Sequence, residues 1–212
     1  MNPALAGPPY RTDDPEPTDY GHYEIYAFTN EIAAEDGTSG AGGIDFNYGG
    51  APNLQLTATL PVGYTFSSGG PFLGGPSNIE LAEKYRFLTQ ANFGLDVAVF
   101  PRVFLPSASS NIGESHASFL LPMWVEKDWD KWSAFGGGGC EINRLKLSRL
   151  LSPWVITNQV TSKLQVGLEI FHQTSDTQGG SATTSLGTGV RYDLNEHYHL
   201  LGYVGRGTKM PR

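Results

Sequence analysis

Leu54 to Phe66 reads L-Q-L-T-A-T-L-P-V-G-Y-T-F and alternates without a slip. Leu54, Leu56, Ala58, Leu60, Val62, Tyr64 and Phe66 fall on one side; Gln55, Thr57, Thr59, Pro61, Gly63 and Thr65 fall on the other. A period of two is that of a β-strand, whose successive side chains leave opposite faces of the pleat. Soluble strands run to about five or six residues, whereas a strand crossing a bilayer needs about 9–11 and carries aromatic rings at headgroup level. The length of this stretch, and the aromatics Tyr64 and Phe66 that end its apolar side, predict an all-β fold: an antiparallel up-and-down transmembrane β-barrel. Leu54, Leu56, Leu60 and Val62 are then expected to face lipid.

The same alternation recurs on both sides of this strand. Asn78 to Leu88 places Ile79, Leu81, Tyr85 and Phe87 outward and Glu80, Lys84 and Arg86 inward, with Glu83 on the outward face, where a charge is costly at mid-membrane and cheaper near an interface. After a short Thr89 to Asn92 turn, Phe93, Leu95, Val97 and Val99 form an outward row opposite Gly94, Asp96 and Ala98. Ala117, Phe119, Leu121, Met123 and Val125 continue it to a turn at Glu126 to Asp130, where Trp124, Trp129 and Trp132 are expected to form a girdle at one membrane face. The first strand is expected at His22 to Ala33, followed by a polar loop at Glu35 to Gly40 and a strand from Gly43 to Tyr48. Later strands are expected at Lys131 to Cys140, Trp154 to Val160, Leu164 to Gln173, Thr184 to Leu194 and Tyr198 to Arg206. Short returns, such as Gly49 to Asn53, Thr161 to Lys163 and Asn195 to His197, alternate with longer polar loops, as in outer-membrane barrels with short periplasmic turns.

Composition narrows the class. No run approaches the roughly 18 apolar residues of a transmembrane helix. The mildly negative mean hydropathy suits a barrel, because half of each spanning strand faces a polar lumen. A formal charge of −7 speaks against nucleic acid, whose phosphates need clustered Lys and Arg. The single Cys140 has no disulfide partner and reads as a small wall residue after Gly136 to Gly139. That glycine run lacks the helix, Lys and Ser or Thr of a phosphate loop, and reads as a thin or curved stretch of wall. His197 and His199 share a face without a third ligand at metal spacing, and no Ser, His and acid set converges. No catalytic residue, metal or cofactor is expected, and the protein is not expected to be an enzyme.

At the N-terminus, Ala4-Leu5-Ala6 before Gly7 has the small-x-small form of a signal-peptidase site. Residues 7–21 are acidic and too rich in Pro for a helix interior or central strand. Residues 1–21 are therefore expected to be a signal-peptide remnant with an extended lead-in on the periplasmic side, and 22–212 a single barrel domain.

Within this lead-in P-P-Y-R-T-D-D-P-E-P (Pro8 to Pro17), followed by G-H-Y-E-I-Y (Gly21 to Tyr26), resembles the opening of the outer-membrane β-barrel family named for the meta-pathway of phenol degradation. N-I-E-L-A-E-K-Y-R-F-L (Asn78 to Leu88), the Glu169 to Thr177 segment and N-E-H-Y-H-L-L (Asn195 to Leu201) are similar to it as well. The chain departs from the family at Glu141 to Ser152, where E-I-N-R-L-K-L-S-R-L-L-S replaces a Gly, Pro and Asn-rich loop. The resemblance implies an outer-membrane transporter, with hydrophobic or aromatic compounds as its substrate class.

By parity Glu80, Lys84, Arg86, Asp96, Glu126, Glu169 and Arg191 face the interior, a mixed-sign lining that is tolerable when paired or watered. Three readings stay open: a channel for small molecules in the bacterial outer membrane, in contact with its lipid; a structural or surface-interaction barrel with a closed polar core; and a soluble binder of the lipocalin type. The count of roughly eleven strands is odd, whereas bacterial single-chain barrels use an even number. The sequence therefore predicts a missing twelfth strand after a basic, Pro-interrupted tail, and no ladder between the first strand and the last.

Overall fold

The computed structural model describes residues 9–35, 37–144, 146–175 and 180–209. The Ala4-Leu5-Ala6 motif and residues 210–212 of the tail lie outside them. Among the described residues the chain forms β1 (Tyr23–Ala34), β2 (Gly37–Ala51), β3 (Leu54–Ser67), β4 (Phe72–Pro76), β5 (Glu80–Leu88), β6 (Asp96–Val99), β7 (Arg102–Phe104), β8 (Ser118–Trp129), β9 (Trp132–Asn143), β10 (Lys146–Gln159), β11 (Leu164–Gln173), β12 (Thr183–Asp193) and β13 (His199–Lys209). One helical turn, α1 (Gln90–Phe93), sits between β5 and β6.

Every ladder between these strands is antiparallel, and sequence neighbours pair in the order β1-β2-β3-β5-β6-β8-β9-β10-β11-β12-β13. The short β4 lies along the far end of β3, and β7 continues the β6 position between β5 and β8. The result is an up-and-down barrel wall. Its two ends are β1 and β13, which share no ladder among the described residues.

The wall is turned inside out relative to a soluble domain, whose apolar side chains lie within. Leu56, Leu60 and Val62 are 45%, 49% and 58% exposed, whereas their neighbours Gln55 and Thr57 are buried. The inversion holds round the ring: Leu121, Met123, Trp154, Ile156, Leu168, Ile170 and Leu186 are exposed, while Asn47, Lys84, Glu169 and Arg191 are buried. Leu54, beside the β2–β3 turn, is only half-buried.

Several expectations are corrected. The Glu35 to Gly40 loop is a tight hairpin, because β1 and β2 extend until Ala34 pairs with Gly37. Glu141 to Ser152 is likewise the end of a hairpin in which β9 and β10 pair up to Asn143 and Lys146. Long loops at that rim are therefore confined to β3–β5, β7–β8 and β11–β12. Glu126 to Trp129 belong to β8, and the turn is Asp130-Lys131, with Asp130 at a φ of 54°. Phe93 lies in α1 rather than a strand, and α1 closes on Gly94 in the left-handed region. Val97 is buried, opposite Leu88 at a register shift between β5 and β6. Trp129 and Trp132 are exposed and paired across the β8–β9 hairpin, but Trp124 is 3% exposed and turned inward with Ser118 and Glu126. The alternation that put Met123 and Val125 outside already required this of Trp124.

Candidate functional site

The interior is occupied by the chain's own lead-in. Pro9, Pro15 and Pro17 deny it ladder hydrogen bonds and keep it extended, so its remaining polar groups need partners from the wall. It enters at the short-turn rim, where Tyr20 forms an isolated parallel bridge to Gly49 and the Gly21 N–H donates to the Gly49 carbonyl at 2.8 Å. The lead-in does not stay at that rim, as expected from sequence, but runs across the bore.

Its first anchor is Gln55 on β3, whose side-chain carbonyl accepts from the Thr18 N–H at 2.8 Å and the Thr18 hydroxyl at 3.1 Å. Gln55 is held in turn by donating to Asn47 at 2.7 Å. The second anchor is a cation pair on β5 and β7. Lys84 Nζ lies 2.8 Å from Asp13 and 3.3 Å from Asp14, and donates to the Glu16 carbonyl at 3.1 Å. Arg102 Nη2 reaches the other oxygen of Asp13 at 2.8 Å, and its Nη1 reaches Glu80 at 3.3 Å. Both cations lie over the ring of the buried Phe100, at 4.9 Å and 4.1 Å. Arg86 lies 3.5 Å from Asp96 and 4.0 Å from Glu16.

The third anchor is Glu169 on β11. One of its oxygens accepts from both the N–H and the hydroxyl of Thr12, at 2.8 Å and 2.6 Å, and the other accepts from Tyr203 of β13. Thr12 is 1% exposed. Beyond it, Arg11 donates to Ser185 at 3.1 Å and stacks on Phe171 at 3.8 Å. Tyr10 meets Phe135 and Tyr203 edge-on, with centroids 6.0 Å and 6.1 Å away. Glycines of the wall make this approach possible. A Cβ on Gly167 would stand 2.3 Å from the Tyr10 hydroxyl, and one on Gly49 would stand 2.0 Å from the Asp19 carbonyl oxygen.

Charge follows the geometry. Burial acts to raise the Asp13 carboxyl, but the charges of Lys84 and Arg102 and the hydrogen bond from Lys84 outweigh it and hold Asp13 below its ordinary value. Glu16, with less compensation, is pushed up to about 7 by burial and by the charge of Asp14.

Among the residues singled out by parity, Glu80 and Lys84 meet through Arg102 and the lead-in, and Arg86 meets Asp96. Glu126 accepts from Ser133, while Arg191 is at the short-turn end with Asp193 and His199. Parity did not single out Tyr10, Arg11, Thr12, Asp13 or Arg102. Arg102 continues the inward row Asp96, Ala98 and Phe100 past Pro101, a signal that was readable. At the far end, Glu141 and Arg149 pair across β9 and β10.

A strictly antiparallel wall, apolar outside and polar within, with one terminal segment lying in its bore, is the construction of an outer-membrane-type barrel. The same fold is found in an outer membrane channel from Pseudomonas putida F1, with a TM-score of 0.70 and 16% sequence identity over 92% of this chain and 92% of that one. No protein-family model matches the sequence, and no curated protein is similar to it at a significant level.

Proposed function

We propose that this chain is a conduit for small organic molecules across the bacterial outer membrane, closed at rest by its own N-terminal segment. The observation that carries the reading is the kind of filling. The bore holds a tethered strap on three polar anchors, packed against inward wall side chains such as Phe135 and Phe171. The exposed belt of Leu56, Leu60, Val62, Leu121, Leu168 and Leu186 is the lipid-facing surface. Glu80, Lys84, Arg86, Asp96, Glu126, Glu169 and Arg191 line the bore. Resemblance to the phenol meta-pathway family supports hydrophobic or aromatic solutes, and transport in place of catalysis.

A closed structural barrel is the second reading, and the number of wall elements that grip the strap favours it. Planar-bilayer recording decides between them. A conduit shows discrete conductance steps whose open probability rises when residues 9–17 are deleted. A bilayer that stays silent with both proteins, each inserted and heat-modifiable on gels, refutes the conduit.

A further inference from the structure

Asp13 and the two cations that hold it have the form of a ligand in a site. Each oxygen of the carboxylate meets a separate cation at 2.8 Å, Oδ1 on Lys84 and Oδ2 on Arg102, and both cations lie over the face of Phe100. We propose that Lys84, Arg102 and Phe100 form a binding site for the carboxylate of small organic acids, and that Asp13 occupies it in the closed chain. The inference rests on the conduit reading, which it deepens by naming the solute class.

The wall carries carboxylates near this site, Glu80 among them, but none of those described is hydrogen-bonded to Lys84. Among the described residues every acceptor of Lys84 belongs to the lead-in: Asp13, Asp14 and the Glu16 carbonyl. Arg102 has Glu80 from the wall, yet its buried Nε has no acceptor among the described residues, so the guanidinium keeps unused donor capacity. A buried cation stripped of its partners is strongly destabilised. Withdrawal of the lead-in takes all these acceptors of Lys84 and one of those of Arg102, and an anion entering the opened bore can fill the places they leave. A planar carboxylate bridges two donors as Asp13 does, with charge-assisted hydrogen bonds. The Phe100 ring, packed against both cations, puts an apolar group beside the carboxylate, which suits an organic acid better than an inorganic anion. An entering acid competes with Asp13 for the same atoms, so solute binding and withdrawal of the lead-in are coupled.

The test measures binding by isothermal titration calorimetry on the detergent-solubilised full chain, with benzoate, its neutral isostere benzamide, and inorganic phosphate. Asp13→Ala vacates the site without touching the wall. Benzoate should bind D13A about tenfold or more tightly than wild type, benzamide should gain nothing, and phosphate should bind more weakly than benzoate. K84Q in the D13A background should abolish the gain. Benzoate affinity that is equal in D13A and wild type, or matched by benzamide or phosphate, overturns the site. Binding that follows the expected pattern in a protein silent in planar bilayers would retain the site and refute the conduit, so the two failures are distinct.

Discussion

Replacing Gly189 with alanine should unseat the lead-in while leaving the wall intact. The added Cβ would stand 2.4 Å, 2.7 Å and 3.0 Å from Cε1, Cζ and Cδ1 of Tyr10, and these three atoms are its nearest neighbours. The methyl therefore collides with the strap alone. Tyr10 must leave, forfeiting its edge-on contacts to Phe135 and Tyr203, at about 0.5–1.5 kcal/mol each. Re-exposing part of its ring adds about 1 kcal/mol. The loss comes to about 2–4 kcal/mol, or about 30–900-fold in the ratio of docked to withdrawn strap.

Trypsin reads this ratio directly. The Arg11–Thr12 bond is shielded when docked, since Thr12 is 1% exposed. Cleavage of a transiently released segment tracks its released population when docking is fast. G189A should therefore be cut after Arg11 about 30–900-fold faster, and heat-modifiable gel mobility should be unchanged. Tyr10→Ala should accelerate cleavage comparably, and the double variant should be no faster than Y10A alone, because the methyl then meets nothing. Unchanged protection in G189A, or additive effects in the double variant, would show that the glycine is not the seat of Tyr10.

Acidity should move the strap in two directions. The docked Glu16 is pushed up to about 7, so it takes up a proton and docking tightens as pH falls from about 7 toward the ordinary carboxylate range. Asp14, also raised, acts in the same direction. Asp13, facing Lys84, Arg102 and Asp14, is held low, so its contribution is present above the ordinary range and is lost as pH falls through the lowered value. Open probability in planar bilayers should pass through a minimum below about pH 7, with E16Q flattening the neutral limb and D13N the acid limb; a monotonic profile contradicts both assignments. Arginine at Leu60, which is 49% exposed, should destabilise the membrane-inserted barrel by about 2–4 kcal/mol if it lies near the midplane. Arginine at Thr59, whose hydroxyl donates to Asp45 at 2.7 Å, should be milder, and equal losses in urea titration would mean that the alternation does not mark a lipid face. Exported in a bacterium that has an outer membrane, the protein should fractionate with that membrane, and its full recovery as soluble periplasmic monomer would contradict the location.

The wall was legible because its determinant is local. Leu54 to Phe66 carries its own period, and Gln55 and Leu56 declare their faces without reference to any other strand. Strand ends were less legible, since Thr38 and Ser39 are polar in any loop and are strand only because Ala33 and Ile32 stand opposite. Trp124 was misplaced by trusting residue type over parity. The strap was legible as an extended segment and illegible as a filling. Its contacts join Thr12 to Glu169 and Thr18 to Gln55 across 157 and 37 positions, and no period in a sequence reports so distant a match.

Why the filling should be a strap follows from the width of the wall. A barrel of about eight strands is filled by its own inward side chains, and wider ones leave a lumen. With eleven wall positions, and with Gly43, Gly63, Gly139, Gly167, Gly187 and Gly189 at inward places, this wall leaves room that its own side chains do not fill. What fills it must come from outside the wall, and about twelve extended residues reach roughly 40 Å, enough to run from Gly49 to Ser185. A side chain that fills a core cannot leave without unfolding its strand. The strap is fixed to the wall at its Tyr20 end, with Thr18, Asp13, Thr12 and Tyr10 each held by separate polar or aromatic contacts. It can release those contacts in turn while every ladder of the wall stays closed.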